Sequence, residues 1–207
     1  MKILLLSPYS EKLSKAIKLA GDELAIEKRP ISGKYCNQAE IDFIVSYGYR
    51  HIIKNDVLDM FPDRIINLHI SLLPWCRGAH PIFWAVVEKR PLGITIHLID
   101  EGLDTGNILI QREFKSDLEL TGQTFRTAYE FLTGSIEDMF CSNWERLRDG
   151  YVTSIAQQGR GSLHRASELN EWLEFMPMHW DTPIGDFLKL ADSKICLYNS
   201  SREDQAP

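Results

Sequence analysis

Two short segments carry the side-chain types that could move a chemical group. In Asn67-Leu68-His69-Ile70-Ser71-Leu72-Leu73-Pro74, Asn67 and His69 stand two positions apart, so in a strand they share one face. Two polar side chains on one face of an otherwise apolar strand are costly unless they are paired or useful. The second segment is His97-Leu98-Ile99-Asp100-Glu101-Gly102-Leu103-Asp104-Thr105-Gly106, an acidic, glycine-punctuated loop after a strand. Asp and Gly also suit an ordinary turn, so the combination is what counts. An Asn amide can donate to an oxygen that gains negative charge. A His can exchange protons near neutral pH, and an Asp can orient that His and balance a charged intermediate. With no Ser or Cys nucleophile among them, these groups suit acyl transfer in which the acceptor itself attacks. Cys76, two residues beyond Pro74, is incidental to such chemistry.

Elements that would position these residues follow from the apolar pattern. Residues 2–6 form a buried strand ended by Ser7-Pro8. Leu13, Ala16, Ile17 and Ala20 recur at helical spacing until Gly21. Strands are expected within 23–28, at 41–47, 64–70, 94–99 and 107–114, with a loop at 30–33 and a short helix around 57–61. Pro81 suits the first position of a helix carried to Lys89 by Ile82, Trp84, Ala85 and Val86. A long amphipathic helix fits 124–148, and further helices fit 168–175 and the stretch after Pro183. This alternation predicts an α/β, Rossmann-like fold: a mostly parallel sheet with helices on both faces and a short irregular C-terminal extension. Ligands of such sheets sit outside the carboxyl ends of the strands, which singles out the loops 47–51, 67–80 and 100–106. The expected division is a domain over 1–150, an extension packed on it over 151–198, and a disordered tail over 199–207.

Composition narrows the class. The chain has 207 residues, 44% hydrophobic and 25% charged, with a formal net charge of −6, which is ordinary for a globular protein and poor for a nucleic-acid binder. The four cysteines, Cys36, Cys76, Cys141 and Cys196, lack metal-ligand spacing, so no metal is expected. With neither a signal peptide nor a membrane-length apolar run in 1–207, a cytoplasmic protein is expected.

The run Asn67-x-His69-x-Ser71-Leu72-Leu73-Pro74, then Arg77-Gly78 and Pro81, then Thr95-x-His97 and Asp100-x-x-x-Asp104-x-Gly106, resembles the 10-formyltetrahydrofolate-dependent formyltransferases. The resemblance covers roughly residues 1–150. It implies that Asn67, His69 and Asp104 match the family's catalytic trio: Asn67 donating to the formyl oxygen, His69 shuttling a proton, Asp104 positioning His69 and helping to take the amine proton. It implies a folate donor held by backbone groups of Tyr49-Arg50-His51-Ile52-Ile53 and of Glu101-Gly102-Leu103-Asp104, with Ser71, Leu72, Leu73 and Pro74 alongside. His97 is expected to support Asp104 or the pocket wall. His51, His80, Arg77 and Trp75 are candidates for the mouth, and 159–165 and 180–183 for an acceptor pocket.

The stretch 41–111 is closest in flavour to sugar N-formyltransferases and the formylation domains of peptide synthetases, so the expected acceptor is the amine of a nucleotide-linked deoxyamino sugar. An aminoacyl group on a carrier protein, an amino acid or methionyl-tRNA is the alternative. Only 57 residues follow Gly150 and the chain is acidic, which speaks against tRNA. A folate-binding homologue without turnover, or one that hydrolyses the formyl donor, stands beside these. The expected partner is a small amine, with no membrane and no nucleic acid. Trp144, Trp172 and Trp180, if exposed, would offer a homo-oligomer patch.

Overall fold

The structure is a computed structural model that describes residues 1–9, 11–114 and 122–203. Its centre is a six-stranded sheet in the order β2-β1-β3-β4-β6-β7. The strands are β1 (Lys2–Leu6), β2 (Glu23–Glu27), β3 (Phe43–Tyr47), β4 (Ile65–His69), β6 (Leu92–Leu98) and β7 (Ile108–Phe114). The first four run parallel, whereas β6 and β7 are antiparallel to their neighbours. Ile3, Leu4, Leu5 and Leu6 are all fully buried, the near-continuous apolar run of a strand covered on both faces.

Helices cover the two faces unequally. One face, with Ile3, Leu5, Phe43, Val45, Ile66, Leu68, Ile94 and Ile96, packs under α1 (Glu11–Leu19), α4 (Pro81–Val87) and α5 (Phe125–Arg148). The other, with Leu4, Leu6, Ile44 and Ile65, takes the short helices α2 (Gly33–Gln38) and α3 (Asn55–Leu58). In α5, Thr124 and Thr127 satisfy the first free amides by a reciprocal cap. Phe125, Ala128, Leu132, Ile136, Phe140, Trp144 and Leu147 then bury one stripe along its 24 residues, roughly 36 Å. Trp144 and Trp172 are each 2% exposed; their expected surface exposure is corrected, because both lie on the buried stripes of their helices.

The C-terminal segment is built into this body. A two-residue strand β8 (Leu163–His164) pairs with β5 (Arg77–Gly78). A 3₁₀ stretch (Ala166–Phe175) and the helices α6 (Ile184–Leu190) and α7 (Asp192–Glu203) follow. Residues 199–203, expected as disordered tail, are the last turns of α7; 204–207 lie outside the described residues. The expected loop at 30–33 gives way at Gly33 to α2, whose start Ser32 caps by accepting from Tyr35 N–H. Among the described residues no helix is long and apolar enough to cross a membrane.

Candidate active site

β4 and β6 pair with Asn67 opposite His97 and His69 opposite Thr95. Alternation therefore puts Ile66, Leu68, Ile94 and Ile96 in the core, and Asn67, His69, Thr95 and His97 together on the other face. Because β6 is antiparallel, the loop after it leaves near the start of β4, where Ile99 N–H donates to Ile65 O. It then folds back across the polar face and delivers Asp104. The expectation that all three candidate loops leave from the carboxyl edge holds for 47–51 and 67–80 and is corrected for 100–106.

Four side chains converge there. Asp104 lies 3.6 Å from His69 Nδ1 through Oδ2 and 3.6 Å from His97 Nε2 through Oδ1. Asn67 Nδ2 donates to Asp104 Oδ1 at 3.3 Å, and Gly78 N–H donates to Oδ2 at 2.8 Å. Burial alone would raise the Asp104 pKa. The charge that His69 carries when protonated, the hydrogen bond and charge that a protonated His97 supplies, and the Gly78 amide outweigh it and hold the carboxyl well below the usual range.

Donor logic fixes the protons. A carbonyl oxygen can only accept. His69 Nε2 lies 3.1 Å from the Cys76 carbonyl, so Nε2 carries hydrogen and Nδ1 is the exchanging nitrogen, turned toward Asp104. His97 Nδ1 lies 2.7 Å from the Leu98 carbonyl, so it donates there and leaves Nε2 as an acceptor. Asn67 Nδ2 stands 3.2 Å from that Nε2. His97 thus aims the NH₂ end of the Asn67 amide at the cluster.

Three residues that shape this site, Cys76, His80 and Asp104, hold φ of 57°, 55° and 54°, a left-handed conformation costing non-glycine residues of order 1 kcal/mol each. Burial pushes the Cys76 thiol up to about 12, with the Glu88 charge adding to it, which keeps it from acting as a nucleophile.

The cluster opens into a cavity of about 580 Å³ whose walls include Tyr49, Arg50, Asn67, His69, Leu103 and Asp104. A second, more apolar cavity of about 320 Å³ shares Tyr9, Ile70, His80, Pro81 and Tyr129 with it and ends at Trp180. Arg50 and Arg165 line the larger one, and among the described residues no carboxylate pairs with the guanidinium of either. Burial lowers the His80 pKa, which favours the neutral ring.

Other expected residues sit elsewhere. Ser71 and Leu73 are buried and build the turn: Ser71 Oγ donates to Trp75 O, while Thr95 Oγ1 donates to Ser71 O and accepts from Leu73 N–H. Leu73-Pro74 is cis, and Leu72 packs over Gly93. None of residues 71–74 lines the larger cavity, nor do His51, Ile53, Glu101 and Gly102. His51 stacks edgewise on Tyr49, Ile53 is buried, and Glu101 accepts from Asn55, at the start of α3, at 2.9 Å. Gly102 N–H donates to Asp100. Of the mouth candidates His80 lines both of these cavities; Arg77 donates to Gln157 and Trp75 lies under the Arg90 guanidinium. Gln157 was not foreseen as a support, yet its NH₂ donates to both Asp104 O and Gly106 O at 2.8 Å.

Known proteins match this architecture. The formyl transferase family matches residues 25–135. A methionyl-tRNA formyltransferase from Clostridium tetani is 38% identical over all of this chain and 71% of its own length. One from Anaeromyxobacter dehalogenans is 45% identical over 45% of this chain. The chain spans 30% to 38% of the length of the first curated relatives it matches. Among solved structures, the formyltransferase PseJ from Anoxybacillus kamchatkensis, in complex with UDP-4,6-dideoxy-4-formamido-L-AltNAc and tetrahydrofolate, superposes with a TM-score of 0.84. It is 41% identical, over 90% of this chain and 97% of that one.

Proposed function

Because the chain belongs to the formyltransferase family, we propose that it moves the formyl group of 10-formyltetrahydrofolate to a primary amine, that of a nucleotide-linked deoxyamino sugar. The observation that carries this reading is the convergence of Asn67, His69 and Asp104 on one cavity wall. Such a donor fits the loops beside them. Among the described residues, none of the backbone N–H groups of 49–53 donates to another protein group, so this edge is free to meet the amide-like rim of a pterin. The donor supplies an activated formyl carbon.

Asn67 would turn one N–H from the long 3.3 Å contact with Asp104 to the formyl oxygen as charge develops there. His69 would take the amine proton on Nδ1, since Nε2 is committed to Cys76. The ionised Asp104 would then balance the imidazolium, closing the 3.6 Å gap, and as the bond from the formyl carbon to N10 of the donor breaks, the proton on His69 would pass to that leaving nitrogen. A sugar nucleotide is favoured by the likeness to PseJ over 97% of that chain. Two arginines without carboxylate partners in a chain of net charge −6 would meet the acceptor's diphosphate, and the apolar second cavity its less polar part.

Methionyl-tRNA is the second reading, favoured by the 38% identity to the Clostridium tetani enzyme. Mass spectrometry after incubation with 10-formyltetrahydrofolate and an acceptor panel separates them. A formyl mass gain on a UDP-linked or dTDP-linked 4-amino sugar alone is expected. Gain on methionyl-tRNA alone, or on a carrier-bound amino acid, replaces the acceptor, and bound folate with no product anywhere replaces the reaction.

A further inference from the structure

We propose that Glu88 and Ser162 are positioning residues: a buried polar chain running from them fixes the proton on His69 and the seat of Asp104. This rests on the formyl-transfer reading above.

The chain begins at Glu88, 8% exposed just after α4. Its carboxylate accepts from Ser162 Oγ at 2.6 Å, faces His164 Nε2 at 2.9 Å and meets Arg202 of α7. Burial would raise the Glu88 pKa, but the hydrogen bonds of His164 and Ser162 and the charges of His164 and Arg202 hold it down, so the group stays ionised. His164, fully buried, lies flat on Trp84 with ring centres 3.9 Å apart.

From there the chain passes into backbone. Ser162 Oγ accepts from Cys76 N–H at 2.9 Å. Ser162 O accepts from Arg77 N–H at 2.9 Å, Ser162 N–H donates to Pro74 O, and Ala79 N–H donates to His164 O. The peptide joining Cys76 and Arg77 is therefore held at both ends: its N–H by Ser162, its C=O by His69 Nε2. The next amide, Gly78 N–H, holds Asp104 Oδ2. Two glycines permit the approach. Gly78, with φ +84°, could not carry a Cβ, which would lie 2.3 Å from His164 O; one on Gly161, with φ +64°, would lie 2.1 Å from Pro74 O.

Consecutive backbone groups thus orient both groups that handle the proton, and a two-residue strand pair alone is too short to hold them. The Glu88 carboxylate anchors it from behind. If the Cys76–Arg77 peptide tilts, its carbonyl no longer claims Nε2–H, and the His69 proton is free to move to Nδ1, the nitrogen that must be empty to accept one.

The test uses the full chain with ¹⁵N-labelled histidine. In the wild type the His69 Nε2 nitrogen is expected to carry a slowly exchanging hydrogen, held by the Cys76 carbonyl. Ser162→Ala and Glu88→Gln are expected to shift the His69 nitrogens toward mixed tautomers and to lower kcat by about 10–100-fold, with KM for the folate donor changed less than about threefold. Ser162→Thr, which keeps the hydroxyl, should restore both signals. Arg202→Ala, at the half-exposed end of the chain, gives a smaller shift in a folded protein should the buried variants not fold. Phe140→Leu, in the core far from the chain, should lose stability and leave His69 and kcat alone. Unchanged His69 nitrogens in Ser162→Ala, Glu88→Gln or, where those do not fold, Arg202→Ala would overturn the proposal, as would a loss of kcat no larger than that of Phe140→Leu. A wild type that formylates no acceptor defeats the formyl-transfer reading alone; the nitrogen shifts still decide whether the chain positions His69.

Discussion

The strand pair β4 and β6 has two faces made from the same residues in alternation, and they are used in opposite ways. On one, Ile66, Leu68, Ile94 and Ile96 are at most 4% exposed and belong to the apolar core. On the other, His69, Thr95 and His97 are buried and Asn67 partly so, and each is hydrogen-bonded: Asn67, His69 and Thr95 to loop residues, His97 to the carbonyl of Leu98. Burial of methyl groups needs no particular orientation, whereas burial of four polar side chains is tolerable only if each finds a partner. The first face therefore fixes that the strands pair, and the second fixes which atoms point where.

This contrast can be broken by substitution. The largest effect is expected on the polar face: Asn67→Ala should lower formyl transfer by about 100–1000-fold while leaving tetrahydrofolate affinity within a few-fold. A loss of under tenfold would mean that the amide is merely a buried partner. On the apolar face, Ile96→Ala should cost about 2–5 kcal/mol of stability in urea unfolding, with kcat per folded molecule unchanged. Should kcat fall as steeply as stability, the two faces are not separable.

Thr95→Val tests the middle case. It removes the hydroxyl that serves Ser71 O, Leu73 N–H and Gln111, and should cost about 1–3 kcal/mol with only a modest loss of rate. The smallest effect is in acid. Asp104 is held below its ordinary pKa of 3.8, so the stability it contributes is complete above that value and is lost as pH falls through and below it. Comparing Asp104→Asn with wild type, the gap in unfolding midpoint should be constant from about pH 7 to pH 5 and narrow below about pH 4. A gap that widens in acid would reverse the sign assigned to this carboxylate.

Much of this was legible in the chain itself. The strands announce themselves by apolar runs, and the spacing of Asn67 and His69 puts both on one face before any coordinate is known. What escaped has physical reasons. The apolar pattern of a strand is the same in either direction, so β6 looks parallel; the clue lay in the nine residues between Leu98 and Ile108, too short a link for a parallel crossover of a dozen or more residues, which makes β6 and β7 a hairpin. Trp144 follows Phe140 by four positions and precedes Leu147 by three, a spacing that places it on the buried stripe. β5 and β8 are two residues each and have no periodicity to find. Gln157 gave no signal at all: its role comes from backbone oxygens of Asp104 and Gly106 that only the folded loop brings within reach.

The pairing of β5 with β8 has a consequence for the order of synthesis. Cys76 and Ser162 stand 86 positions apart. A ribosome that has just released Asp104 has made the trio and the segment Cys76–Gly78 on which His69 and Asp104 are seated, but not the strand β8 and Ser162 that hold that segment. For the time needed to add some sixty further residues, at about 5–20 residues per second, the nascent chain holds these side chains without the strand that clamps the Cys76–Arg77 peptide, so their seating waits on the synthesis of Ser162.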